Sequence, residues 1–544
     1  MNDMSPPPDL GQGPISNVTP IIGRTLKVSH YTIPVRLKDG GMLLFNSRTR
    51  NLQGLTAEEA VQFSKIQALP NFLVKERTPV LNTLYSDGFL VESHRDELLE
   101  VGEDYFSARN DDTSMGLTIA PSMGCNLACG YCFQGLNKDN EKMDRQLPDA
   151  IREVVAAKIY DLNSLSVTWY GGEPLMGKQA IFDISDDLMA MCDMHGVNYS
   201  ASIVTNGFLL SPRISKRLHA ARVDFAQITI DGLKKTHDRM RPLTSGRGSY
   251  ETIMHNIETS LNQSPMHIQV RINVGAENID EVPDLIDEFI AQGFDQYPHF
   301  SVYCAPIHAS TTESGEAFDM SVAKADFTKK MIAVERKARA AGLMSEVAPS
   351  MGFDGLCVAA TKNGLVITQN GDVHKCWETA HDPKKRVGSV YNMEDVDKSP
   401  TAKIWDEWTP FTSETCRSCK ILPMCGGFCG HKFVYNGAGD EFNLPCPDWK
   451  WRTAEYVFER AMTHGAVEED QWLPEETTET ACQSGARHTM ESLKASQDEV
   501  IERVNRVHGF EIDRDFLLNG DIRDWEKENL TREDQKADQV ELAK

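Results

Sequence analysis

Thirteen cysteines stand in this 544-residue chain, and ten of them fall into two groups whose spacing suits metal chemistry. The first group is Cys125-x3-Cys129-x2-Cys132, on a glycine-containing loop just after a strand-like segment. Three thiolates so close in sequence can converge on one metal centre. Three ligands on a cube of four irons leave one iron open to a substrate or cofactor, whereas four cysteines would close a cluster for electron transfer alone. A structural zinc site completed by a distant fourth ligand is the other reading. The x3, x2 spacing is unusual for zinc, and a place at a strand C-terminus favours an active site. The second group runs Cys357, Gly371, Cys376, then Cys416-x2-Cys419-x5-Cys425-x3-Cys429, and finally Cys446. Taken alone, Cys416-x2-Cys419 could be half a zinc ribbon. Cys192 falls in a predicted helix and reads as a small buried apolar residue. Cys304 closes the sixth predicted strand and reads as a buried thiol rather than a catalytic one. Cys482 lies in a polar stretch with no evident role.

Those thiols need a reducing compartment. The N-terminus, MNDMSPPPDLGQGP, has neither the basic nor the apolar segment of a signal peptide, and no apolar run reaches membrane-spanning length. The expected location is cytoplasmic, where disulfides are rare and clustered cysteines read as metal ligands. The net charge of −24 argues against nucleic acid or an anionic membrane as partner. Composition, at 40% hydrophobic and 25% charged, is that of an ordinary globular protein long enough for several units.

The elements that must position the cysteines follow from periodicity. Residues 1–24, with three consecutive prolines, read as a disordered tail. Residues 25–107 read as a small α+β module: HYTIPVRL and GMLLFNS are strands around an Asp39-Gly40-Gly41 turn, and TAEEAVQFSKI opens on a Thr-x-x-Glu capping box. From about 108 to 342 strands and helices alternate. Strands are predicted at 116–120, 165–169, 201–205, 226–230, 268–274 and 300–304, and helices at 148–162, 178–195, 211–221, 249–263, 281–292 and 321–341. This rhythm predicts a parallel sheet with helices packed on it, closed into a partial (β/α)6 barrel. Residues 343–450 are rich in Cys and Gly with short elements, as where metal replaces a hydrophobic core. Residues 451–544 read as a helical, charged C-terminal extension.

The first cysteine group resembles the signature of the radical S-adenosylmethionine (SAM) enzymes, with the aromatic Tyr131 before the last cysteine. The resemblance continues through the α/β region. Gly171-Gly172-Glu173-Pro174 follows the second strand and is similar to the segment that in this family lies at the methionine amino group of SAM. Thr205-Asn206-Gly207 ends the third strand where the family has a cofactor-proximal segment. Gln227-x3-Asp231-Gly232, followed by His237-Asp238 and Arg241, and then Arg271, Asn273 and Asn278, resemble two further family stretches. On the residues alone, Asn206-Gly207 could be only a turn and Arg271 only a structural ion pair. The resemblance implies that Cys125, Cys129 and Cys132 hold a 4Fe–4S cluster whose open iron chelates SAM. It implies reductive cleavage to a 5′-deoxyadenosyl radical that abstracts a substrate hydrogen.

The second group resembles the SPASM domain. The resemblance implies two auxiliary 4Fe–4S clusters, one on Cys416, Cys419, Cys425 and Cys446, the other on Cys357, Cys376 and Cys429 with one ligand short, hence three clusters in all. It also implies a peptide or protein substrate, in some relatives carrying a leader segment, and an electron donor such as flavodoxin or ferredoxin. Cross-linking or other oxidation of a ribosomally made peptide is the favoured reaction. A sulfatase-type formylglycine-generating maturase is the enzymatic alternative, and a non-catalytic iron–sulfur carrier is the alternative of another class. An edge strand of the N-terminal module, from HYTIPVRL or GMLLFNS, could take up a leader by strand addition. No residue is singled out as catalytic.

Overall fold

The computed structural model describes residues 21–135, 138, 141–309, 315–344, 356–396, 398–435, 444–474 and 488–529. Ile21 is already fully buried, so the tail expected through residue 24 gives way to packed chain by residue 21. The N-terminal module contains β1 (Thr25–Val28), β2 (Thr32–Arg36), β3 (Met42–Asn46), β4 (Leu52–Leu55), α1 (Ala57–Gln67), β5 (Phe72–Leu73), α2 (Pro79–Ser86), β6 (Leu90–Glu92) and α3 (Glu97–Arg109). Its strands form two antiparallel sheets, ordered β5-β1-β6 and β2-β3-β4. Gly40, at φ +87°, makes the β2–β3 turn in a conformation glycine tolerates best, and Asp39 accepts from the Gly41 amide at 2.9 Å. The capping box opens α1: the Thr56 amide donates to Glu59 at 2.9 Å. GMLLFNS is not an edge. It is β3, paired on both sides, because the short segment Leu52–Leu55 adds a strand that its Gly-containing, non-alternating sequence conceals.

The α/β region alternates as the periodicity predicts: β7 (Ser114–Ser122), α4 (Leu147–Ala156), β8 (Ser164–Gly171), α5 (Lys178–His195), β9 (Asn198–Thr205), α6 (Pro212–Ala220), β10 (Val223–Thr229), α7 (Lys234–Met240), α8 (Tyr250–Gln263), β11 (His267–Val274), α9 (Val282–Ala291), β12 (Phe300–Pro306), α10 (Ala317–Met320) and α11 (Lys324–Ala340). Strands β7 to β12 lie side by side and parallel, in chain order, with β7 and β12 at opposite ends of the run. This is the α/β partial barrel expected. Its core is apolar from strand to helix, with Ile119, Val167, Trp169, Ile203, Ile228 and Val270 fully buried among residues such as Ile151, Leu188, Ile257 and Phe289. Burial of such side chains is the main driving force for the layer. Helix α5 stops where Gly196 takes a left-handed conformation at φ +71°.

The Cys-rich region does not leave this sheet. It comprises β13 (Gly364–Ile367), β14 (Asp372–His374), β15 (Gly388–Ser389), α12 (Met393–Val396), α13 (Pro400–Glu407), α14 (Glu414–Arg417), α15 (Leu422–Cys425) and α16 (Gly430–Tyr435). Strand β13 pairs in parallel with β7, so among the described residues the sheet has nine strands, ordered β12-β11-β10-β9-β8-β7-β13-β14-β15. Next come α17 (Thr453–Thr463), α18 (Met490–His508) and α19 (Arg514–Asn519). Ala454, Val457 and Phe458 of α17 pack with Ile33 and Val35 of β2, Phe45 of β3 and Cys419 and Met424, joining the N-terminal module to the cysteine region. Leu493, Val500 and Val504 of α18 belong to the same core as Ile404, Trp408 and Phe433. Among the described residues no helix is long and apolar enough to cross a membrane.

Candidate functional site

The loop leaving β7 carries Cys125, Cys129 and Cys132. A turn closed by the Cys132 amide on the Cys129 carbonyl (3.3 Å) brings the last two cysteines together. Burial raises the Cys129 thiol to about 11, with the Arg241 cation opposing and neighbouring Cys132 and Cys125 adding to the rise. The Cys125 sulfur accepts from the Leu127 amide at 3.4 Å and has the Asn206 amide 3.8 Å away. The side-chain nitrogens of Asn126 and Gln134, both on this loop, are buried with no hydrogen-bond partner among the described residues. A loop that gathers three thiols and inward-facing donors fits a sulfur-rich group with acceptor capacity.

Gly171 to Pro174 hold that loop in place. The Gly172 amide donates to Ser122 O at 3.0 Å and the Glu173 amide to Gly124 O at 2.8 Å. A Cβ on Gly172 would stand 2.4 Å from the carbonyl oxygens of both Met123 and Gly124, so only glycine permits this approach. Gly172→Ala is therefore expected to push the cysteine loop off its strand, destabilising the fold by about 1–3 kcal/mol. Denaturant unfolding would read the loss, and faster alkylation of Cys125 would locate it. Pro174 is buried and starts the short helical turn after this segment.

Glu173 is fully buried, and its carboxylate joins two loops. It accepts from the Leu175 amide (3.0 Å), the Thr205 hydroxyl (2.8 Å) and the Asn206 amide (2.8 Å). Burial raises its carboxyl, and those three donors pull it back. Asn206 in turn donates to Asn126 at 2.8 Å, so the end of β9 is tied directly to the cysteine loop.

Tyr131 and Asp231 meet in a buried polar knot. The Tyr131 hydroxyl donates to Asp231 and accepts from Arg241 (2.5 Å) and Asn273 (3.2 Å). Asp231 also accepts from the Asn273 amide at 3.1 Å, and its backbone carbonyl from Asn278 at 2.5 Å. His237, fully buried, stacks edge-on against Tyr250 and reaches Ser249 at 3.1 Å. The aromatic of the cysteine loop is thus anchored through its hydroxyl to the ends of β10 and β11. Arg271, beside this knot, donates to Asn273 (2.6 Å) and Tyr303 (3.1 Å), and the Tyr303 hydroxyl donates to the Gln227 side-chain oxygen (2.7 Å). Cys125, Cys129, Tyr131, Cys132, Gly171 to Pro174, Thr205, Asn206 and Asp231 stand at strand ends or on the loops that leave them, where ligands of such sheets bind, whereas Gln227 and Arg271 lie within β10 and β11 and His237 and Asp238 on α7.

In the second region, Cys416, Cys419, Cys425 and Cys446 line one cavity together with Leu422, Phe433, Lys450 and His488. Around the other three, burial and then the charges of Cys357, Glu378 and Cys429 push the Cys376 thiol far up, which puts these groups within electrostatic reach of one another. Among the described residues no three His, Cys, Asp or Glu side chains stand close enough to share a single metal ion. Cys192 is fully buried in α5. Cys304, expected as a buried thiol, is half-buried at the end of β12, its thiol raised by burial with Glu335 and Asp448 adding to it. Cys482 lies outside the described residues.

Sequence reasoning missed His488, Lys450 and Gln369, whose side chain accepts from the Met123 amide at 2.7 Å and braces the cysteine loop. None carries a local signal. Each reaches its site through a contact between segments far apart in the chain.

The radical SAM superfamily profile matches residues 119–289. The serine-type anaerobic sulfatase-maturating enzyme of Klebsiella aerogenes is 23% identical over 326 residues, 56% of this chain and 76% of that one. The mycofactocin maturase MftC of Mycolicibacterium smegmatis is 23% identical over 349 residues, 59% of this chain and 79% of its own. Among solved structures, native anSMEcpe with bound AdoMet matches at a TM-score of 0.51 and 20% identity, covering 64% of this chain and 98% of that one, a likeness of fold. The superfamily match falls on the strands and loops that carry Cys125, Glu173, Asn206 and Asp231, and the relatives align well beyond it, so this chain carries a radical SAM domain.

Proposed function

We propose that the protein oxidatively modifies a ribosomally made peptide or protein, with a thioether or carbon–carbon cross-link as the product. The observation that carries this reading is the coexistence, on one sheet, of the radical SAM loop at β7 and a second cysteine region paired to the same strand. Relatives matched over about three quarters of their own length include maturases of sulfatases and of mycofactocin. Formylglycine formation in a sulfatase is the second reading, favoured by the match to the Klebsiella enzyme.

In this reading Cys125, Cys129 and Cys132 hold a 4Fe–4S cluster with one open iron. Cys416, Cys419, Cys425 and Cys446 hold a second cluster, and Cys357, Cys376 and Cys429 a third. SAM bound at the open iron supplies a 5′-deoxyadenosyl radical that takes a hydrogen atom from the substrate. The protein's own part is positional. Gly171, Gly172 and Pro174 shape the wall against the cysteine loop, while Glu173, Thr205 and Asn206 hold the adjoining loops. Tyr131, Asp231 and Arg271 keep the rim of the sheet in one arrangement. The barrel walls exclude water from a reactive species that would otherwise be quenched.

A substrate leader fits the N-terminal module at β4. Strand β3 is paired on both sides, and one end of β2 is covered where the Lys38 amide donates to Gln471 O at 3.0 Å. Strand β4 pairs with β3 alone, leaving its other edge for strand addition. A low-potential electron donor of the flavodoxin or ferredoxin type and a cytoplasmic setting complete the reading.

The test is anaerobic reconstitution with iron and sulfide, then dithionite and SAM, in the presence of short precursor peptides encoded beside this gene. We expect 5′-deoxyadenosine, and a peptide lighter by two hydrogens per cross-link in the mass spectrum. A sulfatase peptide converted to formylglycine instead would move the assignment to the second reading. Absence of 5′-deoxyadenosine from iron-replete protein would end both.

A further inference from the structure

The C-terminal extension reaches the cysteine cavity through His488. His488 immediately precedes α18, whose first turn is closed by a reciprocal cap between Thr489 and Ser492. Helix α18 is locked down by Gln497, which donates to Phe433 O at 3.1 Å, and by Leu493 and Val500 in the core. The imidazole is 3% exposed and stands edge-on to the Phe433 ring at 4.8 Å. Its Nε2 lies 3.4 Å from the Cys416 sulfur and its Nδ1 3.3 Å from the Ser492 hydroxyl. On the same cavity, the Lys450 ammonium donates to the Cys446 sulfur at 3.6 Å.

We propose that His488 and Lys450 are tuning residues that raise the reduction potential of the cluster held by Cys416, Cys419, Cys425 and Cys446. The proposal rests on the reading that these four cysteines hold a 4Fe–4S cluster. Reduction adds negative charge to the cluster and its thiolates. In its Nε2–H tautomer His488 donates toward the Cys416 sulfur, with the Ser413 hydroxyl 3.5 Å from the same nitrogen, and this donor together with the cation on the Cys446 sulfur stabilises that charge more in the reduced than in the oxidised form, so the potential rises. Burial sharpens both effects, because little water screens them. The extension thereby acquires a role: it delivers one of the two donors and closes the cavity over it.

The experiment is a redox titration followed by electron paramagnetic resonance on the full chain, reconstituted in a background with Cys125, Cys129 and Cys132 all replaced by Ala, so that only the auxiliary clusters report. His488→Phe keeps a ring in the same space and removes the donor. It is expected to lower one of the two transitions and leave the other in place, with iron content unchanged. His488→Gln, which retains an N–H, should recover much of the shift, and Lys450→Met should lower the same transition. An iron-replete His488→Phe with both transitions at their parental potentials overturns the proposal, as does an equal movement of both. If His488→Phe loads no iron, Lys450→Met decides, and an unmoved transition there is equally fatal. Failure of the underlying reading looks different: Cys416→Ala would then leave both the iron content and the spectra of the background protein unchanged.

Discussion

Cys129→Ala is expected to yield a folded protein that makes no 5′-deoxyadenosine and keeps its auxiliary clusters. The residue is the central ligand of the three-cysteine loop, and that loop offers no fourth cysteine to take its place. With two thiols left, the cube is not held and the open iron that chelates SAM is lost. Iron per chain should fall from about 12 to about 8, the content of two four-iron cubes instead of three. The fold should survive, because the loop's backbone is tied by contacts that do not pass through Cys129: Gly172 and Glu173 on Ser122 and Gly124, Gln369 on Met123, and the Ala128 amide on Pro242 O at 2.8 Å. Iron analysis, product chromatography and denaturant unfolding together check the three parts. Retention of SAM cleavage in this variant would show that the radical chemistry is placed on the wrong cysteines.

The second large effect belongs to Glu173, and it is structural before it is chemical. Glu173→Ala strips the acceptor from three donors at once: the Leu175 and Asn206 amides and the Thr205 hydroxyl. In a fully buried setting the cost is on the order of 3–5 kcal/mol. Glu173→Gln tests the argument more finely. A carboxylate only accepts, and all three partners donate. One carboxylate oxygen serves Leu175 and Thr205, the other Asn206. The amide of Gln can keep the first oxygen but must turn an NH2 toward the Asn206 N–H, placing donor against donor. We expect Gln to lose stability as well, by less than Ala. Both variants should bind SAM poorly because Asn206, released from β9, no longer holds Asn126 and the cysteine loop. Denaturant unfolding of reconstituted protein and equilibrium SAM binding would measure the two losses. A Gln variant with parental stability would refute the acceptor-only argument.

The sequence carries the barrel because the barrel is locally encoded. Each strand is a short apolar run and each helix an amphipathic one, and their order in the sheet is their order in the chain. Helix α5 runs over the predicted residues, Lys178–His195, with Gly196 as its stop. The helix predicted at 148–162 ends instead at Ala156, where the chain turns to bring the Asn163 amide onto Thr113 O at 2.7 Å and start β8. Helix α7 is absent from the periodicity, since Lys234–Met240 is polar and anchors itself through His237 rather than an apolar stripe. What periodicity conceals is pairing across long separations. Strand β13 joins β7 from some 250 residues away, and β4 is four residues with a glycine among them. The same holds for the site. The cysteines, Gly171 to Glu173, Thr205, Asn206 and Asp231 are legible because their types and spacing are unusual. Gln369, Lys450 and His488 are common residues made important by what folds against them.

The pairing of β13 with β7 has a mechanical meaning. Strand β7 launches the SAM-binding loop at its C-terminal end, and through β13 and β14 the same row of backbone bonds reaches toward Cys376. In the proposed reading, with a cluster near each end of this plank, hydrogen-bond register would set the gap that an electron crosses between them. Tunnelling rates fall steeply with distance, and a gap set in this way gives every turnover nearly the same transfer time. The loops around the plank remain free to reshape for different peptides without disturbing that clock.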